Sequence, residues 1–216
     1  MAKTCVITDF DGTITEKDTL YTFFKTYASD GWKDVEQMWV SGLIGSKECL
    51  IREFNLVPNL NKKLVDDFIK TVKIDRYFKD FVKKLNKQNI KIFVVSDGVD
   101  YFIENVFKTC DIKGISVVAN HGTFSDNEFS LTFPNENSNC IKNSGTCKCK
   151  ILESFKAEYD KIIYIGDGVS DFCVADKSDI LFAKSKLVEY CKNNGIAHID
   201  FENFKNISEH EMFSAS

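Results

Sequence analysis

A chain of 216 residues with 44% hydrophobic content can bury a full core and falls in the range of one to two domains. Its formal net charge of −4 excludes the clustered basic excess that nucleic-acid binding needs, and no run approaches the roughly 20 apolar residues that span a bilayer. The N-terminal MAKTCVITDF enters a strand pattern too early for a signal peptide, so a cytoplasmic protein is expected, its eight cysteines reduced rather than paired in a disulfide framework.

The first element in chain order is TCVIT at 4–8, an apolar, β-branched run of the kind that forms a buried parallel strand. Residues 16–73 are too many for a simple crossover and carry four aromatic or aliphatic stripes, broken by Gly31, Gly42, Gly45 and Pro58. They predict a helical cap inserted into a core made of 1–15 and 74–216. In 75–88, Tyr77, Phe78, Phe81, Val82 and Leu85 recur at helical spacing with lysines opposite, which predicts an amphipathic helix. Strands follow at 90–95, 161–165 and 179–183, with a weaker one at 196–199, and the alternating segment 115–133 around Ser125, Asp126 and Asn127 predicts a small hairpin. This alternation is that of a doubly wound α/β fold with a mostly parallel sheet.

Ligands of open α/β sheets gather at the carboxyl ends of the strands. There the sequence supplies Asp9 and Asp11 in DFDGTIT, Ser96 in VVSDG, and Asp167 and Asp171 in GDGVSD. Any one of these aspartates alone reads as a helix cap or turn residue. Capping gives no reason for three separate strand ends to carry Asp or Ser before Gly, and carboxylates meeting at one edge repel unless a cation sits among them. Hard oxygen donors favour Mg²⁺, commonly held with substrate phosphate.

These residues resemble the haloacid dehalogenase-like phosphohydrolases. The DxDGT motif is matched by Asp9 to Thr13, the second-motif hydroxyl by Ser96, and the fourth motif by Asp167 and Asp171. The third-motif lysine is matched to Lys150, seventeen residues ahead of Asp167. The resemblance implies a phosphatase acting on a small phosphorylated metabolite, with Asp9 as nucleophile, Asp11 as general acid and base, and Mg²⁺ held by Asp9, the Asp11 carbonyl and Asp167. Ser96 and Lys150, with backbone amides at Asp97 and Gly98, would bind the phosphoryl oxygens, and Asp171 would support the metal or the lysine. The cap's position resembles the subgroup containing phosphoserine, phosphocholine and phosphoethanolamine phosphatases and the phosphoketone phosphatases of methionine salvage. Asp18 stands where phosphoserine phosphatases carry glutamate, and Gly12 and Asp97 also depart from them, so the methionine-salvage group is the nearer match. Arg52 falls near a substrate-carboxylate position of the phosphoserine enzymes, or is a solvated cap arginine. A phosphomutase or phosphotransferase shares the aspartyl-phosphate and is the alternative within the family. No membrane or nucleic-acid partner is expected, and a monomer or homodimer fits.

Cys140, Cys147 and Cys149 are spaced unlike ordinary zinc modules. Reduced thiols are the expected state, with zinc completed by His121 or Cys110 as the alternative.

Overall fold

The computed structural model describes residues 3–213. Seven strands form one sheet in the order β4-β3-β2-β1-β5-β6-β7. They are β1 (Thr4–Thr8), β2 (Lys91–Val99), β3 (Ser116–Ser125), β4 (Glu128–Thr132), β5 (Lys161–Gly166), β6 (Ile180–Ala183) and β7 (Ile199–Asp200). All neighbours are parallel except β3 and β4, a hairpin whose turn residues Asp126 and Asn127 both take positive φ. β1 is central because TCVIT is apolar on both faces: Val6 joins one core, Cys5 and Ile7 the other. The chain adds β2 and β3 on one side of β1, then returns to place β5 on the other. That reversal opens a crevice at the carboxyl end of β1.

Between β1 and β2 lie α1 (Thr19–Tyr27), α2 (Trp32–Val40), α3 (Ser46–Asn55), α4 (Lys62–Ile69) and α5 (Phe78–Lys87). The remaining helices are α6 (Asp100–Thr109), α7 (Lys148–Lys156), α8 (Ser185–Asn194) and α9 (Phe204–Glu209). The first four lie within residues 16–73, between β1 and α5; we call this segment the insertion. Its entry and exit meet in a two-stranded stem, with Thr15 bridged to Ile74 and the Glu16 amide donating to the Lys73 carbonyl at 3.0 Å. The insertion packs on the sheet through aromatic rings: Phe23 lies 5.1 Å from Phe68 and 5.3 Å from Phe102 of α6, and Phe54 lies 4.6 Å from Phe129 of the hairpin.

Three boundaries differ from the sequence reading. α5 begins at Phe78 rather than 75, because the Asp75 carboxylate accepts from the Tyr77 and Phe204 amides and shapes a turn before the helix. β2 runs past Ser96 to Val99, and its register against β3 shifts between Val95 and Val99. The last strand is only two residues long. Among the described residues no helix is long and apolar enough to cross a membrane.

Candidate active site

The end of β1 is pinned by the Asp9 amide donating to the Ile165 carbonyl of β5 at 2.9 Å, which sets the Asp9 side chain, 5% exposed, over the crevice. Asp9 Oδ1 accepts from the Phe10 amide at 2.7 Å, and Oδ2 lies 2.9 Å from the Lys148 ammonium. Burial, followed by the charge of Asp171, raises the Asp9 pKa against the pull of Lys148. Asp11 is fixed differently: its Oδ1 accepts from the Thr19 amide in the first turn of α1 at 2.8 Å. Burial and the neighbouring Asp18 push Asp11 up to about 7.

At the end of β5, Asp167 Oδ1 accepts from the Thr13 hydroxyl at 2.7 Å. Its Oδ2 lies against Gly12, where a Cβ would come within 2.6 Å. Gly12 also has φ +71°, so both space and backbone conformation require glycine in the DxDGT turn. Burial and the Asp171 charge raise Asp167 to about 6. Asp171 is fully buried and saturated: Oδ1 accepts from Lys148 at 2.7 Å and the Tyr164 hydroxyl at 2.6 Å, while Oδ2 accepts from the Asp167 and Gly168 amides at 3.0 and 3.1 Å. Its oxygens are committed to holding Lys148 and the turn after β5.

The lysine in this site is Lys148, a correction to the sequence reading. Lys150 is solvent-exposed on α7. Helical residues advance about 100° each, so two positions turn a side chain to nearly the opposite face. Lys148 shares the buried face with Leu152, four residues on, and is only 3% exposed. Burial works against its charge, yet Asp171 and Asp9 more than offset that and hold its pKa above the ordinary value. Ser170, also absent from the sequence reading, accepts from Lys148 at 3.0 Å and has its hydroxyl 3.4 Å from Asp9 Oδ2.

Ser96, 1% exposed, accepts from the Gly98 amide at 2.9 Å across the irregular end of β2. A Cβ on Gly98 would lie 2.8 Å from Asp11 Oδ2, so Gly98 lets Asp11 and Ser96 approach each other. The Asp97 carboxylate turns to the following loop, where it accepts from the Thr146 amide at 2.8 Å. That anchors the segment leading into α7.

Asp9, Asp11, Asp18, Ser96, Asp97, Gly98 and Asp167 line one cavity of about 370 Å³. Arg52 does not: it lies on the outer face of α3 with Glu48 as its ion-pair partner, so the substrate-contact alternative is set aside for the solvated one. The three loop cysteines are also divided. Cys147 precedes α7 and receives the Asn137 side-chain amide, whereas the Cys149 thiol turns to the Cys173 carbonyl at 3.1 Å. Of the proposed fourth ligands, His121 is paired with Asp100 at 2.7 Å and Cys110 ends α6. Among the described residues, the groups whose donors meet at metal-ligand spacing are Asp9 with Asp167 and Asp171, and Glu36 with Cys49 and Glu53.

The model of haloacid dehalogenase-like hydrolases matches residues 6–176 of this sequence. The chain belongs to the haloacid dehalogenase-like hydrolase family. Within it, the chain is 29% identical over 207 residues to a 2-hydroxy-3-keto-5-methylthiopentenyl-1-phosphate phosphatase of Exiguobacterium sp., covering 95% of both chains. The Bacillus pumilus protein of the same name is 31% identical, over 94% of this chain and 89% of that one. A phosphoserine phosphohydrolase-like protein from Francisella tularensis shares the fold with a TM-score of 0.70 at 18% identity, over 95% of this chain and 98% of that one. Family membership accounts for the chemistry at the carboxyl end of β1.

Proposed function

We propose that this hydrolase is a Mg²⁺-dependent phosphomonoesterase working through an aspartyl-phosphate. The observation that carries the reading is the buried Asp9–Lys148–Asp171 chain of ion pairs beside Asp11. The carboxylates fit a hard cation: Asp9 and Asp167 present oxygen donors within 4.8 Å of each other, and their raised pKa values mark a place where positive charge is favoured. Asp9, the Asp11 carbonyl and Asp167 would hold Mg²⁺, which supplies neutralisation of the phosphoryl charge when bound.

Asp9 attacks phosphorus as the bond to the ester oxygen breaks, and the protonated Asp11 carboxyl donates its proton to the departing alkoxide. The resulting Asp11 carboxylate removes a proton from water, whose oxygen attacks the same phosphorus; inorganic phosphate leaves and Asp9 is regenerated. A pKa of about 7 suits Asp11 to both steps near neutrality. Ser96 and Lys148 bind non-bridging phosphoryl oxygens, with Asp171 holding the ammonium in position. On this reading residues 16–73 are a cap that shapes the cavity mouth, and the relatives' names make a phosphoketone one substrate to test. The experiment is hydrolysis of p-nitrophenyl phosphate with Mg²⁺ and no acceptor. Phosphate release that stops with EDTA, and that falls at least about a thousandfold in Asp9→Asn, is expected. Retained turnover in that variant sinks the nucleophile, and a strict need for an acceptor favours a phosphotransferase.

A further inference from the structure

Lys148 is followed directly by Cys149, and Asp171 is followed two residues on by Cys173. The side chains of these cysteines meet between α7 and the turn after β5. Cys149 Sγ lies 3.1 Å from the Cys173 carbonyl, and the two thiols share a hydrogen bond. The Cys173 thiol also reaches the Ser170 carbonyl at 3.7 Å, and the Ser170 hydroxyl receives Lys148 at 3.0 Å. Both cysteines are half-buried, whereas Cys5, Cys49 and Cys191 are buried. Neither belongs to a group at metal-ligand spacing among the described residues. The hydrogen bond from Cys173 lowers the Cys149 pKa to about 6; burial opposes the shift and Lys177 adds to it. A partly exposed thiolate beside a second, protonated thiol is the arrangement of an oxidisable dithiol.

We propose that Cys149 and Cys173 are a redox modification site: hydrogen peroxide joins them in a reversible disulfide, and that bond lowers the phosphatase activity. The inference rests on the phosphomonoesterase reading for the activity that is lost. The Cys149 thiolate attacks one peroxide oxygen, the O–O bond breaks, and the sulfur becomes a sulfenic acid as hydroxide leaves. The Cys173 thiol gives its proton to that hydroxide and its sulfur attacks the Cys149 sulfur; the S–S bond forms, the S–O bond breaks, and a second hydroxide leaves. That hydroxide takes up the proton Cys149 released on ionising. Two thiols and one peroxide thus become one disulfide and two waters, each sulfur giving up one electron.

A disulfide holds its sulfurs at about 2.05 Å, closer than hydrogen-bonded thiols. Closing that gap draws the first turn of α7 toward the turn after β5 and takes the Cys173 thiol from the Ser170 carbonyl. Lys148 precedes Cys149, and its contacts with Asp171, Asp9 and Ser170, at 2.7, 2.9 and 3.0 Å, have little room to absorb the shift. Cys140 and Cys147 also share a hydrogen bond, but both belong to the segment before α7, and a bond between them closes that segment on itself.

The test treats the full chain with hydrogen peroxide, removes it, and follows p-nitrophenyl phosphate hydrolysis with Mg²⁺ alongside tryptic mass mapping. Trypsin cuts after Lys148 and Lys150, so Cys147 and Cys149 fall on different peptides and the partner of each is read directly. Oxidised wild type should lose kcat/KM by at least about tenfold, the order expected when a preorganised group is displaced. It should carry a Cys149–Cys173 link and recover with dithiothreitol. Cys149→Ser should keep its activity through the peroxide, and Cys173→Ser should form no link, its Cys149 sulfenic acid being trapped by dimedone. Each variant is compared with itself before and after oxidation, so a loss of folded protein cancels. Inactivation without the Cys149–Cys173 link overturns the proposal, as does a link that leaves kcat/KM unchanged. Equal inactivation of Cys149→Ser overturns it too, and so does a Cys140–Cys147 link that alone follows the loss of activity. If the Cys149–Cys173 link forms but even reduced enzyme releases no phosphate, the modification site stands and the phosphatase reading falls.

Discussion

Two lysines two positions apart, Lys148 and Lys150, separate a buried ammonium paired with Asp9 and Asp171 from one exposed to solvent. Lys148→Ala removes the ammonium between Asp9 and Asp171 and should lower kcat/KM for p-nitrophenyl phosphate by about 10²–10³, the usual effect of deleting one preorganised donor. Lys150→Ala, on the exposed face of α7, should stay within about twofold of wild type. The distinction was legible in the sequence. Lys148 stands four residues before Leu152 on the apolar face, whereas counting back from Asp167 favoured the wrong lysine. Glu53 yields a prediction about stability. Its folded pKa, about 8, lies above the usual carboxyl value, so the folded state holds a proton the unfolded chain has lost, and stability falls as pH rises between the two. Glu36, Cys49 and Asp18 face it and add no compensating positive charge. Glu53→Gln removes that loss: thermal denaturation should show a gain of about 1–3 kcal/mol at pH 8, several degrees in Tm, shrinking toward pH 5.

At the scale of elements, the strands and their order along the chain follow from apolar runs ending in Asp or Ser, and the hairpin from the Asp126–Asn127 turn. The end of β2 did not. Its extension through Ser96, Asp97 and Gly98 depends on a register shift against β3, and periodicity within one strand carries no information about a neighbour's register. Asp97 illustrates the same limit, since its partner Thr146 comes from a loop 49 residues away. Much of the insertion's aromatic and aliphatic stripes is packed into the core, and the strength of that packing can be measured. Phe54 touches Phe23 and Phe24 of α1, Phe102 of α6 and Phe129 of β4, so Phe54→Ala should destabilise the protein by about 3–5 kcal/mol in urea titration.

For the molecule as a whole, those rings place the insertion and one face of the sheet in a single hydrophobic cluster. Both tryptophans, Trp32 and Trp39, lie in α2, so fluorescence reports on the insertion while far-UV circular dichroism reports on the entire chain. The two unfolding midpoints should coincide; separated transitions would mean that the insertion unfolds by itself. The cavity belongs to this scale too, and its acidic lining could not be read from single positions. Asp18 was singled out by its match to a family position, but Glu36 and Glu53 sit on two different helices, and each alone looks like an ordinary surface residue.

The stem joining Thr15 to Ile74 has a consequence for how such a protein can diversify. Residues 14–16 and 73–75 lie side by side, so the chain leaves and re-enters the sheet layer at one point. Recombination at those two positions would exchange every helix that contributes Glu36 and Glu53 while leaving Asp9, Ser96, Lys148 and Asp167 on their own strands and helix. New substrate preferences could then be grafted onto an inherited reaction in one step, provided the donor segment brings aromatic side chains that fit against Phe102 and Phe129.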